Sequence, residues 1–481
     1  MKAIKTVLKK KIRRWQGLML LWSERRKANA DLAIFGYEGL FQALMLNLAT
    51  AFTNMYATRL GATATEIGLI SSGPQFFAML LLIPASLLSS RSENSRRPVE
   101  ISALLTGAFY GLAASAPFMG AAAIPVLILF ISLGNALQNV YNSVWQNYFS
   151  TAVPVTRRNK AFSFRTSLTF LAATVSVLSA GKVLSLAADD LSRIRLYQLC
   201  YALAFGAALV QFFLLRRSPE GERSAKNTQI KALKLAFRQL LRNKRFSVFA
   251  GIVLFFHAGW YMGWPLFFLS EVHYCGADES WLSLIPVSGS LVQLLTVKKC
   301  SSLIERKGSH KGLILGMLGL CLSPFSCLLA SYMPSAFRLP TLLVLNMVVC
   351  STFPAFTMAL LHRLLEEIPQ EQRNLNLAIF NSGLLAVNAL MQMTAIWVYQ
   401  LGGENLVGIT IAQLICGTLR VSGTLLYIFW SRRAGGIAPD SPDAADSLEA
   451  GSPDAADSPD AAISPDAASS LEAGAPDAVD L

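Results

Sequence analysis

Charged residues are scarce in this chain of 481 residues: they make up 15% of it, whereas apolar residues make up 53%. A soluble protein carries about 25% charged residues. The mean hydropathy is +0.45, which is also high for a soluble chain. The composition therefore excludes a soluble domain for most of the chain and indicates a membrane protein.

The chain also lacks the residue patterns of an enzyme site. Its four histidines have neither metal-ligand spacing nor a nearby Ser/Asp partner, and no Gly-rich phosphate loop with its lysine occurs. This argues against ATP-driven transport within the chain. The seven cysteines show no metal-ligand spacing, and we expect them to be reduced, buried side chains. We therefore expect a non-enzyme with no metal and no cofactor.

Long apolar segments dominate the remaining sequence, and each is close to the roughly 20 residues that cross a bilayer as a helix. They lie at about 32–56, 66–89, 99–118, 122–149, 161–186, 194–215, 246–270, 280–297, 311–331, 339–362, 376–400 and 406–430. The segments predict twelve membrane spans, six in each half of the chain.

The second half of the chain repeats the first at an offset of 215 residues. Gly61 recurs as Gly276, and Arg158 recurs as Arg373. The same offset maps span one onto span seven and span five onto span eleven. Repeated halves in an apolar chain indicate a transporter architecture, with a solute site between the halves.

Lysine and arginine alternate strongly between successive loops. Thirty-five of the 42 lie in the terminal segment, the central linker and every second loop, whereas the other loops hold five, and Arg165 and Arg420 lie within spans. Because basic loops stay in the cytoplasm, the alternation places both termini and the linker there. It also supports the count of twelve, since a missed helix would disturb the alternation.

Composition divides the chain into five segments: 1–31, 32–215, 216–245, 246–433 and 434–481. The first is basic and amphipathic, which suits either a helix on an anionic inner leaflet or a plain topology signal. The second and fourth are the six-span halves, joined by a basic linker. The last is an acidic repeat rich in proline, for which we expect disorder. The tail is either a repeat without a role or an arm that contacts the linker.

Two basic loops carry related motifs. The loop after span two contains Ser90-Arg91 and then Arg96-Arg97, and the loop after span eight contains Glu305-Arg306-Lys307-Gly308 and then Lys311. These loops resemble the Gly-x-x-x-Asp-Arg-x-Gly-Arg-Arg motif of the major facilitator superfamily. The resemblance covers about 32–430. It implies an all-α membrane protein with twelve transmembrane helices in two six-helix, pseudo-symmetric halves.

The loop motif has a physical interpretation of its own. Gly308 allows a tight turn, and an acid beside Arg306 could pair with a neighbouring helix end and hold the bundle in one state. The alternative is that these cations only set the topology. The motif residues are Arg91, Arg96, Arg97, Glu305, Arg306, Gly308 and Lys311. Span five has no Gly-Pro pair and span four has no arginine, which argues against a drug–proton antiporter of this family.

Polar side chains inside the spans are the candidates for a solute site, because such groups are costly in hydrocarbon. Those on spans one, four and seven fall where the resemblance implies a cavity, and the rest lie on span eleven. The candidates are Glu38, Gln42, Asn135, Gln138, Asn142, Gln146, His257, Trp260, Tyr261, Trp264, Asn381, Asn388 and Gln392. The members on span four share one helix face, as do those on span eleven.

Each candidate has a structural alternative. The amides could bond neighbouring helices only, the aromatic group on span seven could be packing, and Glu38 could pair with a cation. Arg420, near the middle of span twelve, needs an inward partner, and we favour a structural role for it.

The sequence thus predicts a secondary transporter that works by alternating access between its halves. Glu38, if it is buried without a partner, would be the group that carries a proton. The alternative is a transport-inactive membrane sensor or scaffold with the same fold. We expect a monomer in the plasma (inner) membrane of a prokaryote, with a small-molecule substrate and an anionic inner leaflet as partners and no nucleic acid.

Overall fold

The computed structural model of the chain describes residues 33–92, 94–220, 243–368 and 373–434. These residues are almost entirely helical, and no strand occurs among them. The helices are 33–50, Thr53–Arg59, Ala64–Arg91, Arg96–Ala113, Ala123–Ala152, Val155–Ser185, Asp190–Arg217, Lys244–Leu269, Glu279–Lys307, Ser309–Tyr332, Ser335–Cys350, Phe353–Glu367, Arg373–Leu401 and Leu406–Ala434. A 3-10 segment, Ala116–Ala122, precedes the fifth of them, and a π-helical turn, Ser270–Tyr274, follows the eighth.

These helices form twelve spans, which confirms the prediction. Span one consists of 33–50 and Thr53–Arg59, and span ten consists of Ser335–Cys350 and Phe353–Glu367. Every other span is a single helix. Within the described ranges, nine segments are long and apolar enough to cross a bilayer. The chain is therefore an all-α integral membrane protein with two sets of six spans.

Two details of the spans differ from the hydropathy pattern. Span ten is interrupted before Phe353, because Pro354 has no N–H to bond the carbonyl of Cys350. Span five begins at Val155 rather than at 161. Its first turns are basic and polar, so hydropathy excludes them although a helix outside the hydrocarbon tolerates them.

The turns that begin spans two and eight have the same geometry in the two halves. Gly61 and Gly276 have φ values of 91° and 76°, which are unfavourable for residues with a Cβ atom. Each turn then leads into a capped helix. Glu66 accepts hydrogen bonds from Thr63 (2.8 Å), and the side chain of Asp278 accepts one from the backbone three residues on (3.0 Å). The repeat therefore preserves these turns in structure as well as in sequence.

Each half buries its own apolar cluster. In the first half, span four packs against spans two and three, and span three packs against span six. In the second half, span seven packs against spans eleven and twelve, and span nine packs against spans ten and twelve. The helices of each half thus pack extensively on one another.

The halves are joined at the end of the bundle that holds 60–63 and 275–278, which we call the far side. The opposite end, the basic side, holds 92–95 and the start of the linker. Spans two and eleven, and spans five and eight, form the interface between the halves, whereas spans four and ten form no comparable contact in the described ranges. Hydrogen bonds across the far side are Arg59–Glu279, Tyr197–Glu279, Ser185–Ser280 and Thr65–Gln400. Within the described ranges, the side-chain hydrogen bonds between the halves therefore lie at the far side.

Candidate functional site

The amide row of span four lies on one helix face, as its spacing predicts. Asn135 and Gln138 are buried, whereas Asn142 and Gln146 are partly exposed and lie nearer the basic side. Gln138 donates from Nε2 to Oδ1 of Asn142 at 3.0 Å, and Asn135 accepts a hydrogen bond from Tyr110 of span three. Asn135 therefore joins two helices of one half. Asn142 and Gln146 are the members that the structure leaves accessible.

Span eleven carries a second amide row, which also becomes more exposed toward the basic side. Asn388 and Gln392 are fully buried, and Gln392 donates to Oδ1 of Asn388. Asn381, two turns nearer the basic side, is partly exposed. The Nδ2 atom of Asn388, the Oε1 atom of Gln392 and the Oδ1 atom of Asn381 have no hydrogen-bond partner. Atoms without a hydrogen-bond partner therefore occur all along this row, from the buried Gln392 to the partly exposed Asn381.

Span two runs antiparallel to span eleven, and three contacts fix their register. The contacts are a 2.8 Å hydrogen bond from Gln400 to Thr65, the approach of Gly68 to Ile396, and a shared buried cluster of Ala78 and Leu385. Toward the basic side, the residue number rises on span two as it falls on span eleven. Gln75 therefore lies at the height of Asn388.

Gln75 is buried, and its Oε1 atom has no hydrogen-bond partner. It lies seven residues after Gly68, so both residues occupy the face of span two that meets span eleven. We call Gln75, Asn388 and Gln392 the amide seam. Sequence reasoning did not identify Gln75, because a single glutamine in an apolar helix forms no row.

Glu38 is fully buried at a point where four spans of the first half meet. Its carboxylate accepts hydrogen bonds from Nε of Arg165 on span five at 3.0 Å and from Nε2 of Gln211 on span six at 2.8 Å. The hydroxyl of Tyr141 on span four donates to the same carboxylate. Glu38 therefore connects spans one, four, five and six.

Arg165 completes this cluster. Its guanidinium also donates to Gln42 on span one, and its Cζ atom lies 4.0 Å from the ring centroid of Trp145. Glu38 is thus paired with a cation, which is the structural alternative that the sequence left open. The condition for a proton-carrying Glu38, a carboxylate without a partner, is not met in this state. The sequence marks Arg165 as a cation within a span, and this is the signal that could have indicated the pair.

The aromatic residues of span seven pack mainly within the second half. The ring of His257 lies 5.8 Å from that of Phe356 on span ten, and its Nδ1 atom lies 2.8 Å from the carbonyl oxygen of Val253. The ring of Trp260 lies 5.1 Å from that of Phe356, edge to face. Trp264 is partly exposed, and its Nε1 atom has no partner. Among the described residues, Trp264 thus offers a buried donor without a partner.

Arg420 is fully buried between spans seven, nine and twelve. Its guanidinium donates to the backbone carbonyls of Gly259 (3.1 Å), Trp260 (3.2 Å) and Leu320 (2.7 Å). The carbonyl of Leu320 is free to accept, because Pro324 has no N–H to bond it. The arrangement agrees with a structural role for Arg420.

In the first loop motif, Arg96 connects span three with the end of span six. It contacts Glu100 at 2.7 Å and Glu220 at 3.0 Å, and it donates to the carbonyl of Ser218 at 2.6 Å. Arg97 is exposed, and the side chain of Arg91 lies outside the described residues. These contacts of Arg96 lie within the first half and the start of the linker.

In the second loop motif, Gly308 has a φ of 83° and forms the tight turn that the sequence predicts. Glu305 accepts a hydrogen bond from Ser301 of its own helix at 3.1 Å. Arg306 and Lys311 are exposed. The recorded contact of Glu305 is therefore local and does not reach a neighbouring helix end. As for metals, no group of three potential ligand side chains occurs in the described ranges.

Two six-helix halves joined at one end, with polar side chains between them, form the architecture of a membrane transporter. The Major Facilitator Superfamily profile matches residues 38–390. The chain therefore belongs to this family, as its loop motifs and repeat predict.

Solved transporter structures share the fold at low sequence identity. The inward-open xylose transporter XylE from E. coli is 16% identical, with a TM-score of 0.63 over 88% of this chain and 99% of that one. The nucleoside transporter NupG is 12% identical, with a TM-score of 0.62 over 83% and 98%. A POT family transporter in complex with 5-aminolevulinic acid is 14% identical, with a TM-score of 0.62 over 84% and 96%. No curated protein sequence matched the chain.

Proposed function

We propose that the chain is a secondary transporter that moves a small solute across the plasma (inner) membrane of a prokaryote by alternating access. The observation that carries this proposal is the placement of the hydrogen bonds between the halves at one end of the bundle. Hydrogen bonds join them at the far side, and partly exposed amides lie toward the basic side. Rocking the halves would open the far side and close the basic side around the solute.

The distribution of basic residues supports the orientation. It places both termini and the linker in the cytoplasm, so the structure corresponds to a cytoplasm-open state. The protein works as a monomer in contact with an anionic inner leaflet, and a solute or ion gradient supplies the energy. The segment 1–31, the acidic tail after residue 434 and most of the linker at 216–245 lie outside the described residues.

Proton coupling through Glu38 would require its ion pair with Arg165 to open during the cycle. Glu38→Gln tests this step, because the amide cannot carry a proton. Uptake driven by a pH gradient is measured in vesicles, with gradient-free counterflow as the control. Loss of the pH dependence with counterflow retained would support coupling at Glu38, and full pH-driven uptake would exclude it.

A disulfide across the far side tests the rocking motion. The hydroxyl oxygens of Ser185 and Ser280, from different halves, lie 2.7 Å apart, so the variant Ser185→Cys/Ser280→Cys should cross-link the halves. We expect oxidation to abolish counterflow of D-xylose or uridine in proteoliposomes, and a reductant to restore it.

The matched control is a cross-link within one half. Ser95 and Thr151 lie 3.2 Å apart in spans three and four, so Ser95→Cys/Thr151→Cys should leave counterflow intact. Transport that survives the far-side disulfide would overturn alternating access. A folded protein without counterflow of any solute would instead support the transport-inactive sensor or scaffold.

A further inference from the structure

We propose that the transported solute is uncharged and rich in hydroxyl groups, and that the amide seam and Asn381 recognise it. This inference rests on the proposed transport function and adds the chemical class of the solute. It is carried by the location of four amide side chains, by their burial and by the atoms that they leave without partners.

The amide seam lies near the middle of the membrane. Asn388 lies close to the centre of the helix Arg373–Leu401, about 20 Å from either end at 1.5 Å per residue. Gln75 lies at the same height on span two. The seam belongs to both halves, and the solute sites of repeated transporters lie at the midplane between the repeats.

The unpartnered atoms of this group are mostly acceptors. Gln75, Gln392 and Asn381 each have an oxygen without a partner, and Asn388 has a nitrogen without a partner. Buried polar atoms are nearly always hydrogen-bonded in proteins, so each exception needs a cause. A ligand that satisfies these atoms during the cycle is such a cause, because the group lies at the interface that must open.

Hydroxyl groups match this pattern. A hydroxyl donates to an amide oxygen and also accepts from an amide N–H. A carboxylate or a phosphate ion has little or nothing to donate, so it would leave the three amide oxygens without a donor. A solute with several hydroxyls can therefore satisfy all four amides, whereas an anion can bond only their N–H groups.

Charged solutes also find no partner of opposite charge in the seam. The fully buried charges Glu38 and Arg420 are engaged elsewhere, Glu38 with Arg165 in the first half and Arg420 with backbone carbonyls in the second. A net charge near the bilayer midplane without a partner is costly. The seam therefore disfavours cations and anions.

Asn381 links the seam to the accessible region. It lies seven residues before Asn388 on the same helix face and is partly exposed toward the basic side. When the far side opens, spans two and eleven separate there, and Gln75 and Asn388 can both contact the solute. When the far side closes, Asn381 can form hydrogen bonds with the solute in place of the amide seam.

Counterflow in proteoliposomes tests the chemical class. The probes are D-xylose, myo-inositol and uridine as uncharged hydroxylated solutes, and succinate and choline as charged ones. We expect counterflow with at least one uncharged probe and with neither charged probe. Counterflow with only succinate or choline would overturn this inference and leave the transport function standing. The absence of counterflow with every probe would overturn the transport function itself.

Two variants test the residues. We expect Asn388→Leu to raise the half-saturation concentration of the transported probe about tenfold, the value of one lost hydrogen bond. Gln75→Met keeps the size of the side chain and should act in the same direction, even if Asn388→Leu does not fold.

The matched control is Gln413→Leu on span twelve. Gln413 is also fully buried, its Oε1 atom also lacks a partner, and its Nε2 atom donates to Ser270 at 3.2 Å within the second half. We expect this variant to leave the half-saturation concentration unchanged. If Gln75→Met lowers only the maximal rate, the seam acts as a gate without contacting the solute, and the inference is wrong.

Discussion

The two halves of this transporter fold stabilise an arginine within a span in different ways. In the first half, Arg165 forms an ion pair with Glu38 at 3.0 Å. In the second half, Arg420 donates to backbone carbonyls of Gly259 and Leu320 at 3.1 Å and 2.7 Å. The Arg165–Glu38 pair has no net charge and is bonded by side chains from several spans. The charge of Arg420 is not neutralised by an acid, and one of the carbonyls that bind it, that of Leu320, lacks its usual helix donor because of Pro324.

The comparison shows what the repeat conserves. The positions that correspond to Arg165 and Arg420 at the 215-residue offset are Phe380 and Phe205. The turns at Gly61 and Gly276, in contrast, agree in sequence and in φ. The duplicated scaffold is therefore kept at its turns, whereas each interior is stabilised by contacts of its own.

The largest expected effect comes from breaking the ion pair of the first half. Glu38→Leu leaves Arg165, whose side chain is only 12% exposed, without its carboxylate and should lower the free energy of unfolding by about 3–5 kcal/mol. Glu38→Leu/Arg165→Leu removes both charges and should recover most of this loss. Unfolding in detergent, followed by tryptophan fluorescence, measures both. Equal stability of the single and double variants would show that the pair is not the stabilising feature.

A smaller effect is expected from the arginine of the second half. Arg420→Leu removes a charge together with its desolvation cost. It also takes a donor from three backbone carbonyls, and that of Leu320 keeps only the Ser323 hydroxyl at 3.0 Å, so we expect a loss of about 1–3 kcal/mol. Pro324→Ala restores an N–H for that carbonyl. Adding Pro324→Ala to Arg420→Leu should therefore raise the stability in the same unfolding assay. A further decrease would contradict the role assigned to the proline.

Removal of the ion pair between Arg59 and Glu279, which joins the halves, should have a smaller effect. Arg59 lies 3.3 Å from the fully buried Glu279, but the Arg59 side chain is 23% exposed, which reduces its contribution through solvent screening. We expect Arg59→Ala to shift the equilibrium toward an open far side by about 1 kcal/mol, or about fivefold. The labelling rate of Ser283→Cys by an impermeant maleimide from the far side reports this shift.

The matched control for this contact reverses the two charges. Arg59→Glu/Glu279→Arg keeps an ion pair across the halves and should return labelling toward its original rate. If the reversed pair labels as fast as Arg59→Ala, the contact does not depend on the attraction between these two side chains.

The smallest expected effects come from the two turn glycines, and they should lower the free energy of unfolding equally in the two halves. Gly61→Ala and Gly276→Ala each place a Cβ atom at a positive φ, which costs about 1 kcal/mol, and no other group lies within 4 Å of either Cβ position. Both variants should lower the unfolding free energy by the same amount. A clear difference between them would show that the turns are not equivalent.

Much of the fold follows from the sequence, because each helix that crosses the bilayer needs about 20 mostly apolar residues. Apolar length predicts the twelve spans, and spacing predicts which face carries the amides of spans four and eleven. The interruption of span ten was missed, because hydropathy gives no weight to the missing N–H of Pro354. The early start of span five was missed because polar helix ends look like loops.

The site was predicted less completely, because its contacts join distant parts of the chain. Glu38 and Arg165 are 127 residues apart, and their spacing does not show that they meet. Gln75 became a candidate only when the register of spans two and eleven brought it opposite Asn388. His257 was selected by spacing, but its position against Phe356 shows packing.

The sequence by itself determined the membrane-spanning class, the twelve helices and the two related halves, because length, hydropathy and repeat offset act along the chain. Only the tertiary structure decided which buried groups are paired and which end of the bundle is closed. Those outcomes depend on the register between helices from different halves, and small differences in that register decide whether a polar atom finds a partner.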